Sequence, residues 1–295
     1  MKYLKFIDKH IPSLKGKTII VTGANCGLGF ATSKQLVHKD AKVIMACRNL
    51  TKASKAKEEI LKEFPNAEIE IIKYDQADFS SIEEFANKIK DLKIDAILLN
   101  AGLYHPRNGL RTKDGYPLTV GTNYLGQYYL IKQLEPSILN GNIKRLVLVS
   151  SLVHVFGKTR HYKKYLLKVT NKPNRTYNVS KRMIYDFASN LKTKYPNLEV
   201  VLTHPGVAST SIILQEQSSL IKFVKKGGDI FLKIFANNAE KSAICALFAF
   251  IDNDANKLKI YRPRGLFHIV GYPSKKNLKI KENKKLEEVS KSVIS

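Results

Sequence analysis

The sequence predicts an α/β fold, a doubly wound and mostly parallel sheet with helices on both faces. Short apolar, β-branched runs alternate with stretches of helical periodicity along most of the chain. Several of these runs end in glycine, asparagine or serine, as at the ligand-binding edge of such sheets. The 295 residues, 44% of them hydrophobic, suffice for one large core, and no repeat or linker interrupts them. We expect a single domain over 1–295, with its core at about 15–272 and a basic C-terminal tail at 274–295.

Four strands and the helices between them are predicted in the first half of the chain. The run Lys17–Thr22 is short, apolar and β-branched and ends in glycines, which is typical of a buried strand. Apolar residues then recur at helical spacing from Leu28 to Val37. The other elements predicted in this half are strands at 42–47, 68–74 and 95–99 and helices at 51–64 and 80–90.

The second half continues the same alternation. Its predicted elements are a helix at 120–134, strands at 145–149, 198–203 and 266–270, and a helix at 177–194. The last of these helices has a clear buried stripe, formed by Val179, Met183, Ile184, Phe187, Ala188 and Leu191. Seven strands result, and ligands of such a sheet bind beyond the carboxyl ends of its strands, where the strand order reverses.

The net charge of +25 is the most unusual bulk property. Such an excess favours nonspecific attraction to nucleic acid or anionic membranes. Lysine is spread over the whole chain, however, and is only somewhat denser in 274–295. No zinc-finger, RRM or helix-turn-helix pattern accompanies the charge, so we expect diffuse solvated charge and regard nucleic acid as the lesser alternative.

The cysteines and the amino terminus bear on compartment and metal binding. Cys26, Cys47 and Cys245 are far apart and lack metal-site spacing, so we expect neither a metal site nor a disulfide framework. The first residues contain no apolar run of the length that a secretory signal needs. No stretch approaches 18 uninterrupted apolar residues. These observations favour the cytoplasm.

A glycine-rich turn follows the first predicted strand and opens the first helix. Such a turn lets the backbone approach a pyrophosphate, and the helix N-terminus offers free N–H groups to it. The spacing differs from G-x-G-x-x-G, and a plain strand-to-helix turn is the alternative. The strand before and the helix after favour dinucleotide binding, to which we assign Gly23, Asn25, Gly27, Leu28 and Gly29.

Arg48 follows the second predicted strand, where the adenosine ribose of a dinucleotide is expected. A carboxylate there favours NAD, whereas an arginine accommodates the 2′-phosphate of NADP. The strand ends Ala46-Cys47-Arg48-Asn49 without a carboxylate, so the sequence favours NADP(H). Asp75, after the third strand, is a candidate acceptor for the adenine amine, or alternatively an ordinary turn residue.

Further candidate cofactor contacts stand at the ends of the fourth and sixth strands. Asn100, Ala101 and Gly102 are small enough to let the backbone lie against a cofactor. Pro205, Gly206, Val207 and Thr210 would form the nicotinamide side, with Thr210 as a donor to phosphate or carboxamide. Each of these segments alone is also compatible with an ordinary turn.

Tyr177 and Lys181 are the strongest candidates for catalysis. Four residues apart on a helix, they lie on one face. An ammonium beside a phenol favours the phenolate, so we expect Lys181 to lower the pKa of Tyr177 from its ordinary value of about 10. Ser150 and Ser151 end the fifth strand, where a hydroxyl can stabilise negative charge that develops on a carbonyl oxygen.

These motifs together resemble the short-chain dehydrogenase/reductase family from end to end. Thr22 to Gly29 is similar to its TGxxxGxG loop, Asn100–Gly102 to its NAG segment, and Tyr177–Lys181 to its YxxxK motif. The resemblance implies a Rossmann-type fold and a catalytic tetrad of Asn123, Ser151, Tyr177 and Lys181, with Lys181 and Tyr177 also contacting the cofactor. Family members are often dimers or tetramers, so a homo-oligomer is implied.

Several segments resemble the retinol dehydrogenase-like and protochlorophyllide reductase-like branch. They are Ala46–Asn49, Gly121–Gly126, His204–Val207 and Arg264–Pro273. The implied reaction transfers hydride between NADP(H) and a carbonyl or alcohol, with Tyr177 as proton donor or acceptor. Ser151 would polarise the carbonyl, Lys181 would hold the nicotinamide ribose, and Asn123 would hold a water for a proton relay.

An apolar segment at 212–235 is predicted to form the substrate lid, with Gly227 and Gly228 as a hinge. An apolar lid suggests a lipophilic aldehyde, ketone, retinoid or sterol-like substrate. Interleaved lysines also fit an interfacial segment on an anionic membrane. We favour an ordinary lid packed on the core, with peripheral membrane contact as the alternative.

A second class of function remains open at this stage. The chain could be a catalytically idle NADP(H)-binding regulator, or a scaffold that holds an acidic partner on its basic surface. The complete tetrad argues against idleness, and turnover of NADPH with aldehydes and ketones discriminates between the two classes.

Overall fold

The structure, a computed structural model, describes residues 2–104, 109–206, 239–252, 254, 257–265 and 271–294. Within these ranges, eight strands form one sheet. They are β1 (Thr18–Thr22), β2 (Lys42–Cys47), β3 (Ile69–Lys73), β4 (Ala96–Leu99), β5 (Arg145–Val149), β6 (Glu199–Thr203), β7 (Lys259–Pro263) and β8 (Pro273–Asn277). The apolar strands β4 and β5 are buried along their entire length, as expected of a parallel sheet covered on both faces.

The strand order is β3-β2-β1-β4-β5-β6-β7-β8. All neighbouring strands are parallel except the last pair, in which Tyr261 of β7 faces Lys275 of β8 in antiparallel register. From β1 to β3, successive strands are added toward one edge of the sheet, and from β4 onward they are added toward the other edge. The order thus reverses between the parallel strands β1 and β4, which pair through Ile20 and Ile97. This reversal opens a crevice at the carboxyl ends of β1 and β4, the place where doubly wound sheets bind ligands.

Helices cover both faces of the sheet. Those of the described residues are α1 (Lys2–His10), α2 (Gly27–His38), α3 (Leu50–Glu63), α4 (Phe79–Ile89), α5 (Leu118–Val120), α6 (Gly126–Gln133), α7 (Glu135–Leu139), α8 (Tyr162–Leu167), α9 (Pro173–Lys194), α10 (Ala239–Phe250) and α11 (Lys284–Ile294). One face packs α1, α2, α3 and α10 around residues such as Leu36 and Leu247. The other packs α4, α6, α9 and α11 around residues such as Phe85 and Ile184. This two-sided arrangement confirms the predicted doubly wound α/β fold.

The carboxyl-terminal region differs from the expected basic tail. Residues 273–277 form β8, and 284–294 form α11, whose Leu286 is fully buried in the core. Tyr124 Oη and Ser290 Oγ lie 2.6 Å apart, and Tyr116 Oη donates to Val293 O at 2.6 Å. The sequence analysis missed this helix because most of its charged residues lie on the solvent face and only a narrow apolar stripe faces the core.

Three other predicted elements also differ from the structure. The strand predicted at 266–270 lies outside the described residues, and the strand next to β6 is β7, at 259–263. The helix predicted at 120–134 is interrupted by a π-helical turn at Gly121–Leu125. The helix predicted from Tyr177 begins four residues earlier, at Pro173, where a proline suits the first turn.

Among the described residues, no helix is both long enough and apolar enough to cross a bilayer.

Candidate active site

The glycine-rich turn after β1 requires glycine for two physical reasons. Gly23 and Gly27 have positive φ angles of 67° and 56°, which other residues rarely adopt. A Cβ at Gly29 would lie 2.3 Å from Gly23 O, so only glycine allows the helix to approach the turn so closely. Cys26 stands at the N-cap of α2 and makes no side-chain capping bond, which leaves the first N–H groups of α2 for a ligand.

Thr22, which the sequence analysis did not single out as a site residue, joins this turn to the end of β4. Its Oγ1 donates to Leu98 O (3.1 Å) and accepts from the backbone N–H groups of Asn100 and Ala101 (2.9 Å each). The Asn100 Nδ2 atom donates back to Thr22 O at 2.8 Å. The predicted contacts Gly23, Asn100 and Ala101 therefore lie side by side at the switch point of the sheet.

Gln76, also missed, fixes the neighbouring segment. This buried side chain donates from Nε2 to Ala101 O at 2.8 Å and to Thr122 O at 2.6 Å. Tyr74 Oη donates to its Oε1 at 3.1 Å. Gln76 thus ties the end of β4 to the π-helical turn that carries Asn123. No motif signals it, because its role depends on two carbonyls that are distant in sequence.

Asn123 occupies the π-helical turn and is almost completely buried. Its Oδ1 accepts from Leu103 N (2.7 Å), and its Nδ2 donates to Leu103 O (2.9 Å) and to Ser180 Oγ (3.1 Å). Ser180 Oγ in turn donates to Tyr177 O at 2.7 Å. A π turn inside a helix is frequently found at a functional site. Here it aligns Asn123 between the Gly102 segment and α9.

Ser151, Tyr177 and Lys181 come together at the end of β5. Ser151 follows the strand, and its side chain lies close enough to the phenol of Tyr177 to lower the pKa of that phenol. Lys181 is buried on α9, lies 5.7 Å from the centroid of the Tyr177 ring, and donates from Nζ to Val149 O at 3.0 Å. The four residues of the predicted tetrad are thus linked through contacts at one edge of the sheet.

The pKa directions differ from the sequence-based expectation. Burial raises the pKa of Tyr177 to about 12, against a smaller lowering by the hydrogen bond with Ser151, and Tyr104 raises it further. Burial lowers the pKa of Lys181 to about 8. The expectation that Lys181 lowers the pKa of Tyr177 is therefore wrong for this arrangement. The ammonium is directed to a backbone carbonyl, so desolvation dominates both groups.

The remaining predicted contacts lie around the same crevice. Arg48, just past β2, keeps 68% of its side chain exposed, and its Nε lies 3.9 Å from Asp75 Oδ2. Asp75 Oδ1 accepts from Ala77 N at 3.0 Å, so it also serves the turn after β3. Gly102 lies against Asn123, whose Oδ1 would be 3.0 Å from an added Cβ.

At the end of β6, Pro205 and Gly206 are partly buried, and Gly206 has a φ angle of 79°. Val207, Thr210 and the predicted lid at 212–235 lie outside the described residues. Ser150 Oγ is buried without a hydrogen-bond partner among the described residues, and the structure links Ser151, not Ser150, to Tyr177.

Within the part of the chain that the structure describes, no group of three or more His, Cys, Asp or Glu residues is arranged to hold a metal ion.

The family model described as short chain dehydrogenase matches residues 17–219, well over half of the chain. The chain belongs to the short-chain dehydrogenase/reductase family. The members of this family are oxidoreductases that bind a nicotinamide cofactor.

Curated relatives support the retinol dehydrogenase-like branch of this family. Mouse retinol dehydrogenase 13 is 32% identical over 68% of the chain and 61% of its own length. Mouse retinol dehydrogenase 12 is 29% identical over 79% of the chain and 74% of its own length. The chicken WW domain-containing oxidoreductase is 37% identical over half of the chain, and the match spans only 36% of that protein.

Solved structures show the same fold. An uncharacterized protein from Mycobacterium paratuberculosis superposes with a TM-score of 0.72 at 24% identity, covering 97% of this chain and 96% of the other. A 3-oxoacyl (acyl-carrier-protein) reductase from Agrobacterium tumefaciens with NADP bound superposes with a TM-score of 0.62 at 16% identity. The match covers 80% of this chain and 88% of the reductase. At these identities the likeness bears on the fold alone.

Proposed function

We propose that this short-chain dehydrogenase/reductase is an NADP(H)-dependent enzyme that interconverts a lipophilic carbonyl compound and its alcohol. One observation carries the proposal: Lys181 lies buried 5.7 Å from the centroid of the Tyr177 ring, and the Ser151 side chain adjoins the same phenol. Asn123 is joined to this group through Ser180. A catalytically idle regulator would gain nothing from holding these four groups together.

The crevice at the switch point fits a dinucleotide. The turn at Gly23, Gly27 and Gly29 and the uncapped N-terminus of α2 suit a pyrophosphate. Asn25 and Leu28 belong to the same turn. Arg48 and Asp75 would contact the adenosine end of the dinucleotide. Asn100, Ala101 and Gly102 would lie along the middle of the dinucleotide. Pro205 and Gly206, with Val207 and Thr210 beyond the described residues, would adjoin the nicotinamide.

When bound, a reduced nicotinamide supplies hydride for the carbonyl carbon. Tyr177 would give its phenolic proton to the carbonyl oxygen, and Ser151 would donate a hydrogen bond to that oxygen as negative charge develops. Lys181 would hold the nicotinamide ribose through its ammonium group. Asn123 would position a water that returns a proton to Tyr177. In the reverse direction, Tyr177 accepts the proton of the alcohol.

The raised pKa of Tyr177 supports a role as a proton donor. With a pKa of about 12, the phenol is fully protonated at neutral pH and is ready to act as an acid. Its use as a base requires prior loss of that proton, which costs free energy at neutral pH. The phenol is therefore already in the protonation state that carbonyl reduction requires.

The cofactor preference rests on Arg48. Its guanidinium forms a long ion pair of 3.9 Å with Asp75 but keeps 68% of the side chain exposed beside the end of β2, so a 2′-phosphate can reach it. The relatives named as retinol dehydrogenases support a lipophilic substrate. A retinoid, a long-chain aldehyde or a sterol-like ketone are the candidates.

The test is oxidation of NADPH and of NADH with a panel of aldehydes and ketones of increasing chain length. The proposal predicts turnover with NADPH, higher kcat/KM for apolar carbonyls, and weaker use of NADH. Binding of NADPH without turnover of any carbonyl would support the idle regulator instead.

A further inference from the structure

The chain between the two candidate catalytic residues Ser151 and Tyr177 has an unusual surface. No aspartate or glutamate occurs between Glu135 and Asp186. Within this stretch, residues 152–175 form a connecting segment that contains two short 3₁₀ helices and α8. We name residues 152–175 the basic segment. Its exposed cations include Lys158, Arg160, Lys163, Lys164, Lys168 and Lys172.

These cations are clustered in space as well as in sequence. Lys158, Arg160, Lys164 and Arg175 all act on the His161 ring: after desolvation, their charges lower its pKa further. The Arg160 Nε atom donates to His161 Nε2 at 3.1 Å. Helix α11 packs on α8 and carries Glu287, but that carboxylate is paired with Lys291 at 3.3 Å. The basic segment therefore has a concentrated positive charge and no carboxylate of its own.

Apolar side chains project from the same segment. Phe156 is 71% exposed and Val155 63%, and Leu167 at the end of α8 is also exposed. The backbone beneath Phe156 is firmly seated, because a Cβ at Gly157 would lie 2.4 Å from Arg182 Cβ and 2.6 Å from Asn178 O. The exposed phenyl ring is thus held on a supported turn against α9.

We propose that the basic segment is a docking surface for an anionic lipid bilayer. Exposed apolar side chains next to lysines are the combination that binds at the interface of a membrane: the side chains enter the acyl boundary and the cations meet anionic headgroups. Valine and leucine have no aromatic face on which a nucleic-acid base could stack, so an acyl region suits them better. The partner is therefore a lipid surface rather than a nucleic acid.

The basic segment lies next to the candidate catalytic residues, which relates membrane docking to the proposed reaction. It begins directly after Ser151 and ends two residues before Tyr177, and His154 Nδ1 is hydrogen-bonded to Ser151 O at 2.6 Å. A bilayer that contacts Phe156 lies next to the groups proposed to react with a lipophilic carbonyl. If the proposed function holds, such a substrate reaches them from the membrane without crossing water. The docking itself does not depend on catalysis.

The test is sedimentation of the full chain with phosphatidylcholine vesicles, with and without phosphatidylserine, at physiological ionic strength. One variant carries Lys158→Glu, Lys163→Glu and Lys164→Glu. Its matched control carries Lys88→Glu, Lys90→Glu and Lys93→Glu, three exposed lysines near the amino end of β4, at the opposite edge of the sheet. Both variants change the net charge equally.

A second pair separates the apolar contribution. Phe156→Ser removes the exposed ring, and Leu139→Ser is its control, because Leu139 is 69% exposed on α7 near the amino end of β5. We expect binding only to vesicles with phosphatidylserine. The Lys158, Lys163 and Lys164 variant should lower the partition coefficient by about tenfold or more, since each lysine near such a surface contributes about 1 kcal/mol. Phe156→Ser should weaken binding severalfold, and both controls should bind as the wild type does.

Three outcomes overturn the proposal. Absence of vesicle binding does so directly. Equal weakening by both lysine variants assigns the binding to the net charge of the whole chain. Tighter binding of a single-stranded oligonucleotide than of vesicles, lost in the Lys158, Lys163 and Lys164 variant, makes the surface a nucleic-acid site instead.

Discussion

The ring of Tyr104 meets the ring of Tyr177 edge to face, with centroids 4.8 Å apart and an interplanar angle of 86°. Tyr104 Oη donates to Asn174 Oδ1 at 3.3 Å, so the ring is held between the end of the β4 loop and the first turn of α9. Tyr104 therefore buttresses the phenol proposed as the proton donor. Neither its spacing nor its neighbours in sequence indicate this role.

Replacement of Tyr104 tests the buttress. Tyr104→Ala should lower kcat/KM for carbonyl reduction by about 2- to 10-fold, because an edge-to-face aromatic pair contributes about 0.5–1.5 kcal/mol. Tyr104→Phe keeps the ring and should stay close to the wild type. Stopped-flow reduction rates measure both. An equal loss in the two variants would assign the effect to the hydroxyl and contradict ring packing.

The lowered pKa of Lys181 predicts a pH dependence. Its amine is charged below about pH 8 and neutral above it, so the cation proposed to hold the ribose is lost as the pH rises. We expect kcat/KM for NADPH to be level below pH 8 and to fall about tenfold per pH unit above it, since this parameter reports groups of the free enzyme. The phenol of Tyr177, with a pKa of about 12, adds no limb in this range. A profile that stays level to pH 10 would refute the assignment.

Gly29 offers a test of the turn. In Gly29→Ala the new Cβ would lie 2.3 Å from Gly23 O, a backbone atom that cannot move without opening the turn. We expect NADPH binding to be lost and the free energy of unfolding to fall by about 2 kcal/mol or more. Gly141→Ala is the control: it has a φ angle of 71° and no atom within 4 Å of the added Cβ, so it should cost only about 1–2 kcal/mol of backbone strain. Titration of NADPH fluorescence should show that this control binds normally.

Arg48 tests the cofactor preference. Arg48→Gln removes the charge proposed to pair with the 2′-phosphate and should lower kcat/KM for NADPH by about 10- to 100-fold, the value of a charge-assisted hydrogen bond. The value for NADH should change little. Lys88→Gln, on the exposed end of α4, should leave both unchanged. An equal loss with the two dinucleotides would show that Arg48 does not recognise the phosphate.

Much of the fold could be predicted because its signals are local. The apolar run of β1, the glycines that follow it and the Tyr177–Lys181 spacing each reflect contacts within one turn or one strand. Gln76, Thr22 and Tyr104 could not be predicted, since each connects segments that are far apart in sequence. Helix α11 was missed because lysines on its solvent face outweigh one buried leucine in the composition.

The pKa shifts illustrate a second limit of sequence-based inference. Spacing indicates that Lys181 and Tyr177 share a helix face, and the structure places the ammonium 5.7 Å from the ring centroid. Spacing does not reveal that Lys181 Nζ bonds Val149 O or that both groups are desolvated. The sign of a pKa shift depends on burial, which only the packed structure provides.

The account depends most on the phenol of Tyr177, and Tyr177→Phe removes only its hydroxyl. Single-turnover reduction of a responsive carbonyl by NADPH, with NADPH binding measured by fluorescence, separates chemistry from cofactor affinity. We predict a loss of about 10²–10⁴-fold in the rate of hydride transfer, as for a general acid, with the affinity for NADPH unchanged. A variant that reduces the carbonyl at the rate of the wild type would contradict the proposed role of Tyr177.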